Sequence, residues 1–400
     1  MRDVAVLGIG MHPWGKFPEK SFIDLGVVAI DNALKDARLE WKDVQSAVSG
    51  VWQWGGSEGI TPGPRLAATL GETGLPFVNV AQRCATGGSV FREAYFQVAS
   101  GMYDVVLCLG GDKSPKGFFS TPGKENPARY DCIDTDWIRW RMAGLTNPAC
   151  WAIDCKKRME KYGTTELTLA KAKVAASKHG ALNPNALYRK VYTEEEVLAS
   201  PYVCDPLRLL MICATRDGAA AVILGSVEKA RQLSAKLITV AGTAIGTSLY
   251  GDPTMRLGAC YVPTEAETKA PPVSESASAS RQAYEMAGIG PGEIDFLELP
   301  DNSSWHYLQY LEILGFCGPG EADRLLADGD TIIGGKIPTC PSGGLASFGE
   351  ASAAQGALQI FEVVTQLRGE AGQRQVKDAK VGMAQTYGAG GNSATVILKK

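Results

Sequence analysis

Histidine is scarce in this chain. Its 400 residues carry three, His12, His179 and His306. Imidazole acid–base chemistry therefore has few candidates. Ten cysteines are present without a CxxC pair, which indicates neither a zinc site nor a disulfide framework. That usage points to a reducing cytoplasm. No hydrophobic run approaches the length of a transmembrane helix. The first residues read as a strand, not as the apolar core of a signal peptide. A net charge of −3 gives no bulk attraction to nucleic acid. No GxGxxG fingerprint is present, so nucleotide redox cofactors are not indicated.

What is present is the alternation of an α/β protein. Strands are expected over 3–8, 44–52, 77–80, 105–110 and 219–224, and helices over 22–37 and from 64 to 70. The chain is long enough for two packed halves, 1–230 and 231–400. The second half repeats the plan, with strands at 237–247, 294–299, 380–387 and 394–398. Its helices are expected at 274–287, 307–314 and 352–367, with a glycine-rich stretch at 343–349. A polar and aromatic insertion, about 114–201, interrupts the first half and carries a helix at 167–179. Long segments of this kind usually cover a functional site.

Residues 79–94 carry the strongest chemical signal. A strand-like run leads to Cys84, then small residues, then a helical pattern. A cysteine there meets the free N–H groups and positive dipole end of a helix, which favour a thiolate. Gly87 and Gly88 are expected to leave room for a substrate at the sulfur. The competing reading is a small buried hydrophobe.

Four stretches together resemble the thiolase superfamily. They are Cys84-Ala-Thr-Gly, Pro206-Leu-Arg-Leu-Leu with Arg216-Asp-Gly-Ala-Ala-Ala, Cys340-Pro-Ser-Gly-Gly-Leu-Ala-Ser-Phe-Gly-Glu, and Tyr387-Gly-Ala-Gly-Gly. The match is strongest with sterol-carrier-protein-type thiolases and lipid-transfer-protein homologues. The resemblance implies two βαβαβαββ halves in a five-layer αβαβα arrangement. It also implies a homodimer, coenzyme A as substrate and no metal in this chain.

The departures from the family are chemical. Its glutamate-leucine-histidine-aspartate stretch reads Glu298-Leu299-Pro300-Asp301-Asn302, so that histidine is missing. The histidine of the Gly-His-Pro motif is replaced by Glu350, and the C-terminal cysteine by Thr386. His12 and His179 lie far from these motifs in sequence. A carboxylate in an apolar pocket is a competent base, and Glu350 occupies the base position. The alternative is a glutamate that only favours a helix dipole. His306 either reaches into the cleft or bonds to its own helix start. Cys340 is a second acid/base or a packed thiol, and Tyr387 lines the pocket or donates its hydroxyl. The resemblance implies an oxyanion hole from the Gly388 and Cys84 N–H groups. It places Asn302 beside the pocket, and Ser342 and Gly343 on coenzyme A.

Phe118, Phe119, Tyr130, Trp137, Trp140 and Trp151 in the insertion, with Trp52 and Trp54, suit a ring-bearing acyl group or simply a core. Arg139, Arg141, Lys156, Lys157 and Arg158 meet phosphates or a substrate carboxylate, or are solvated. The retained Cys84, the lost histidines and the aromatic insertion are similar to thiolase-like subunits of benzoylsuccinyl-CoA thiolases. Those enzymes yield benzoyl-CoA and succinyl-CoA at the end of anaerobic toluene degradation. Chains of that kind often pair with a small zinc-ribbon/OB-fold subunit. A thiolase-fold retro-aldolase acting through tyrosines, and a non-catalytic acyl-CoA or lipid-binding scaffold, are the alternatives.

Overall fold

The computed structural model describes residues 1–50, 62–114, 146–233, 235–247, 273–388 and 391–400. Its central strands are β1 (Val4–Gly15), β2 (Ser46–Gly50), β3 (Phe77–Asn79), β4 (Val105–Lys113), β5 (Asp217–Ser226), β6 (Thr239–Thr247), β7 (Phe296–Glu298), β8 (Val381–Gly388) and β9 (Asn392–Lys399). Their spatial order is β3-β2-β4-β5-β1-β6-β9-β8-β7.

That order is one plan used twice. β3, β2 and β4 run parallel, and β5 and β1 follow antiparallel. Across the seam, a parallel bridge from Leu297 to Thr339 stands where β3 stands. β7 and β8 are parallel, and β9 and β6 follow antiparallel. The two sets meet at one strand pair, Ala5 opposite Thr239.

Helices sandwich this sheet system. The principal ones are α1 (Phe22–Ala37), α2 (Pro62–Leu70), α3 (Thr86–Ala99), α4 (Asn147–Tyr162), α5 (Glu166–Ala181), α6 (Glu275–Ala287), α7 (Ser304–Ile313), α8 (Gly344–Phe348) and α9 (Gln355–Arg368). α1 buries Phe22, Leu25, Ala29, Ile30, Ala33 and Ala37, a three- and four-residue spacing that makes one apolar face. Ser21 and Asp24 form its capping box, and Arg38 ends it in the left-handed conformation. α1 lies on β1, β4 and β5, and α6 lies on β6, β8 and β9. α3 and α9 form the middle layer: each touches strands of both halves and the other helix. β5 is buried at every position, as expected for a strand covered on both faces.

Glycine makes that middle layer possible. A Cβ on Gly87 would lie 2.7 Å from the Ala357 nitrogen, and one on Gly356 would lie 2.6 Å from the Gly88 nitrogen. Both distances are below any ordinary contact, so only glycine lets α3 and α9 cross so closely. This corrects the expectation that Gly87 and Gly88 open space for a substrate. They are buried under α9 and β9.

Within the insertion, α4 is a helix that the sequence reading does not give. Thr146 caps it, Pro148 sits in its first turn, and Gly163 ends it in the left-handed region. α5 packs on α7 and α8. The aromatic residues Phe118, Phe119, Tyr130, Trp137 and Trp140, the cations Arg139 and Arg141, and Trp52 and Trp54 lie outside the described residues. Among the described residues no helix is long and apolar enough to cross a membrane. Nor does any cluster of three metal-binding side chains occur among them.

Candidate active site

A strained turn presents Cys84 at the start of α3. Arg83 takes a φ of 50°, unfavourable for a residue with a Cβ. Thr86 closes the turn: its Oγ1 accepts the Gln82 N–H at 2.8 Å and donates to the Arg83 carbonyl. Gly388 packs on the same turn, where an added Cβ would lie 2.7 Å from the Gln82 oxygen and 3.2 Å from the Cys84 nitrogen. The backbones of Cys84 and Gly388 are therefore side by side. Gln355, at the start of α9, donates its Nε2–H groups to the Cys84 carbonyl at 3.1 Å and the Tyr387 carbonyl at 3.2 Å.

Glu350 arrives from the other half on a stapled scaffold. Cys340 N–H donates to the Leu297 carbonyl at 2.7 Å. Ser342 gives Glu298 its N–H at 2.9 Å and its hydroxyl at 2.8 Å. Asp301 accepts the Leu345 and Ala346 N–H groups at 2.7 and 3.1 Å, which fixes the start of α8. The segment just before β5 then locks the end. Glu350 N–H donates to the Ala214 carbonyl at 2.8 Å, and Arg216 N–H donates to the Glu350 carbonyl at 2.8 Å.

The two arms meet side chain to side chain. The Glu350 carboxyl group hydrogen-bonds with Cys213 and lies beside Cys84 and Asn302, all three of which lower its pKa. The Cys213 contact, from Sγ to Oε2, is 3.6 Å. Burial raises the Glu350 carboxyl above its ordinary range, and those three partners pull it back. Burial, then the Glu350 charge, pushes the Cys84 thiol well up, against a lowering contribution from Ser352. The Cys84 sulfur therefore rests as a thiol beside the Glu350 carboxyl group. This corrects the expectation that the helix dipole favours a thiolate: burial and a neighbouring anion outweigh it.

An aromatic cluster backs the site. His306 is fully buried, with Nδ1 2.8 Å from Ser303 Oγ and Nε2 2.8 Å from the Tyr387 hydroxyl. Its ring stacks on Tyr387 at 5.2 Å and Tyr310 at 6.0 Å. Trp151 and Trp305 meet it edge-on at 4.8 and 4.5 Å. Burial drives the His306 pKa well below its ordinary value, so the ring is neutral. Burial, and then the neighbouring Tyr310, Glu350, Cys84 and Cys213, raise the Tyr387 phenol. Tyr387 thus lies near the thiol and carboxyl groups, with its hydroxyl on His306.

The structure therefore brings together Cys84, Glu350, Asn302, Tyr387 and Gly388, with His306 behind them. It does not bring Cys340, Ser342 or Gly343 to the same point. Cys340 is buried with Sγ 3.5 Å from the Leu299 carbonyl oxygen. Ser342 is wholly buried against Glu298, and a Cβ on Gly343 would lie 2.5 Å from Gly180 Cα. His179, distant in sequence, is close in space, with Nδ1 3.0 Å from the Cys340 carbonyl oxygen and Nε2 accepting the Ile333 N–H at 3.1 Å. Arg158 is buried between Glu312 and Asp323, each at 2.7 Å. Lys156 pairs with Asp205, and Lys157 pairs with Asp154 at 2.9 Å.

Sequence reasoning missed Cys213, Ser352, Gln355 and Asp112. Asp112, at the end of β4, is buried and accepts the Lys113 and Ala353 N–H groups at 2.9 and 3.3 Å. Burial pushes its carboxyl up to about 8, and Glu350 adds to the rise. Asp112 near the end of β4 and Gln355 at the start of α9 sit where patterned elements end, which is a readable signal, whereas Cys213 and Ser352 lie in short irregular segments that carry none.

Comparison with known proteins agrees with this arrangement. Residues 4–117 match the family described as Thiolase, N-terminal domain, and residues 263–400 match Thiolase C-terminal domain-like. An acetyl-CoA acetyltransferase from Methanothermobacter thermautotrophicus is 35% identical over 100% of this chain and 99% of its own length. Human sterol carrier protein 2 is 34% identical over 100% of this chain and 72% of its own length. A benzoylsuccinyl-CoA thiolase subunit from Thauera aromatica is 30% identical over 97% of this chain and 95% of its own length. Among solved structures, the Ltp2–ChsH2(DUF35) aldolase superposes with a TM-score of 0.83 at 27% identity, covering 99% of this chain and 97% of that one. A fold of two like halves, a cysteine at the start of a central helix and these matches over the whole chain place the protein in the thiolase family, among its sterol-carrier-protein-type members.

Proposed function

We propose that the chain is a coenzyme A-dependent acyltransferase that cleaves or forms a C–C bond of a bulky, aromatic β-ketoacyl-CoA through an acyl-Cys84 intermediate. The observation that carries this reading is the convergence of the Cys84 thiol and the buried Glu350 carboxyl group from opposite halves, close enough for each to shift the other's pKa. It supplies a nucleophile and its base without a histidine.

Each proton has a place to go. Glu350 takes the Cys84 proton as sulfur attacks the β-carbonyl carbon. The Cys84 and Gly388 N–H groups and the Tyr387 hydroxyl face the developing oxyanion. Collapse breaks the C–C bond, leaving acyl-Cys84 and the enolate of the departing acyl-CoA. Glu350 returns its proton to that α-carbon. It then takes the thiol proton of the incoming coenzyme A, whose sulfur attacks the acyl-Cys84 carbonyl. Cys84 leaves as a thiolate and recovers the proton from Glu350. His306 works through Tyr387. With Ser303 donating to Nδ1, the Nε2–H points at the phenol oxygen and frees the phenol O–H for the substrate.

The aromatic cluster of Trp151, Trp305, His306, Tyr310 and Tyr387 supports a ring-bearing acyl group, because Tyr387 brings it near Cys84. The benzoylsuccinyl-CoA thiolase relative supports benzoylsuccinyl-CoA as substrate, with benzoyl-CoA and succinyl-CoA as products. The same relative, named as a subunit, and the DUF35-containing aldolase complex support a second subunit, which we take to be a small zinc-ribbon/OB-fold chain on a homodimer.

The Tyr387–His306 pair favours a second reading, a retro-aldolase on a steroid side-chain CoA thioester, with the 27%-identical aldolase as its support. Cleavage of benzoylsuccinyl-CoA by the chain with its partner subunit separates the two. The thiolase reading requires coenzyme A for turnover and total loss of activity in Cys84→Ala. Cleavage of a β-hydroxyacyl-CoA with a ring at its β-carbon to a ketone and the shortened acyl-CoA, without added coenzyme A and surviving Cys84→Ala, supports the aldolase. No turnover of any acyl-CoA in either protein leaves the scaffold.

A further inference from the structure

We propose that Cys213 is a positioning residue for the catalytic base: its thiol donates to Glu350 Oε2 and, with Asn302, holds the carboxylate beside Cys84 and steadies its charge. The inference rests on the reading of Glu350 as that base.

The geometry is built from both main chain and side chain. Cys213 N–H donates to the Asn302 carbonyl at 2.9 Å, and its Sγ lies 3.6 Å from Glu350 Oε2. Two residues on, Thr215 bridges to Glu350 in parallel fashion. One short segment thus carries the thiol and also fixes the backbones of both other members of the site. Cys213 is 5% exposed, so its proton has no solvent partner to compete for it. Burial, then Glu350 and Asp301, push the Cys213 thiol well up, so it is a thiol and can act as a donor.

The need for a donor follows from the charges around Glu350. Cys84, Cys213, Asn302, Asp112 and Tyr387 face it, and none of them is a cation. Asp301 and Lys173 are the charged groups next to Cys213 on its other side. A buried carboxylate without a cation depends on hydrogen-bond donors to stay ionised. Once Cys84 is acylated its thiol donor is gone, and Cys213 and Asn302 are what remain. A donor that persists through the acyl intermediate keeps the base in place for the second half-reaction.

The test reads Glu350 directly, without turnover. The carboxyl stretch of protonated Glu350 is isolated by infrared difference against Glu350→Gln and followed as a function of pH. In Cys213→Ala the titration midpoint is expected to rise by about one pH unit. Cys213→Ser keeps a donor and is expected to lie nearer the parent protein. An unchanged midpoint in Cys213→Ala, or an equal shift in both variants, overturns the proposal. Full acyl transfer by Glu350→Gln would instead overturn the base assignment, and it would leave the midpoint result standing.

Discussion

Cys84 and Glu350 reach each other from opposite halves of the duplicated fold, one from the start of α3 and the other from the end of α8. Their contact joins a half-buried thiol to a buried carboxyl group, and loss of hydration raises the pKa of both. An ion pair is the usual device for activating a cysteine. In the proposed mechanism the nucleophile rests protonated, and Glu350 removes the proton only when the substrate is in place.

That relationship has opposite consequences for two reactions of the same thiol. In Glu350→Gln the base is lost, and acylation by substrate is expected to fall by about 10² to 10⁴-fold. The anion that opposes the thiolate is also lost, so iodoacetamide should alkylate Cys84 faster than in the parent protein. Rates of both reactions at about pH 7 check this. Slower alkylation would show that Glu350 assists thiolate formation at rest.

Tyr387 and His306 should separate kinetically. Tyr387→Phe removes an oxyanion donor, and kcat is expected to fall by about 10²-fold with a smaller change in KM. His306 is neutral over the working range, so it contributes no limb to the pH profile. His306→Gln should lower the plateau of kcat/KM while leaving the shape of the profile as it was. Loss of a limb near neutrality would assign His306 a proton-transfer role.

Packing at the crossing of α3 and α9 gives a stability test. Gly87→Ala forces a Cβ to within 2.7 Å of a backbone nitrogen. Overpacking of this kind costs about 1–3 kcal/mol, and the neighbouring Cys84 turn shifts with it. Chemical denaturation of the variant should show that loss. An undiminished midpoint would mean that the two helices separate freely.

Asp112 carries a stability signature that depends on pH. Its folded carboxyl stands at about 8, above the ordinary value of 3.8. A carboxyl raised on folding binds its proton more tightly in the native state. Its contribution is therefore present at low pH and is lost as pH rises from about 4 to about 8. Asp112→Asn removes that part of the slope, so the variant should gain on the parent as pH rises through this window. Parallel pH dependences of the two thermal midpoints would contradict the assignment.

Local patterns made much of the fold legible. α1 was readable to the residue, from 22 to 37, because its apolar spacing and Ser21–Asp24 cap agree. The strands expected at 105–110 and 219–224 from their buried runs extend in the structure over 105–113 and 217–226. The Cys84 turn and the exchange of the family histidine for Glu350 were also readable, since each falls within a motif. Contacts between motifs were not. Nothing in the local sequence brings Cys213 to Glu350, and that contact depends on the segment before β5 running alongside the end of α8. The glycines at 87 and 88 misled for the same reason. A glycine beside a nucleophile reads as open space, and only the path of α9 shows that a helix fills it.

Acylation of Cys84 tests the central claim most directly. The parent protein and Cys84→Ala, each with the small partner subunit, are incubated with benzoyl-CoA and weighed intact. The account requires one benzoyl group per chain, mapped to Cys84, absent from Cys84→Ala and discharged by added coenzyme A. No adduct on the parent protein, or an equal adduct on Cys84→Ala, would contradict covalent acyl transfer at this cysteine.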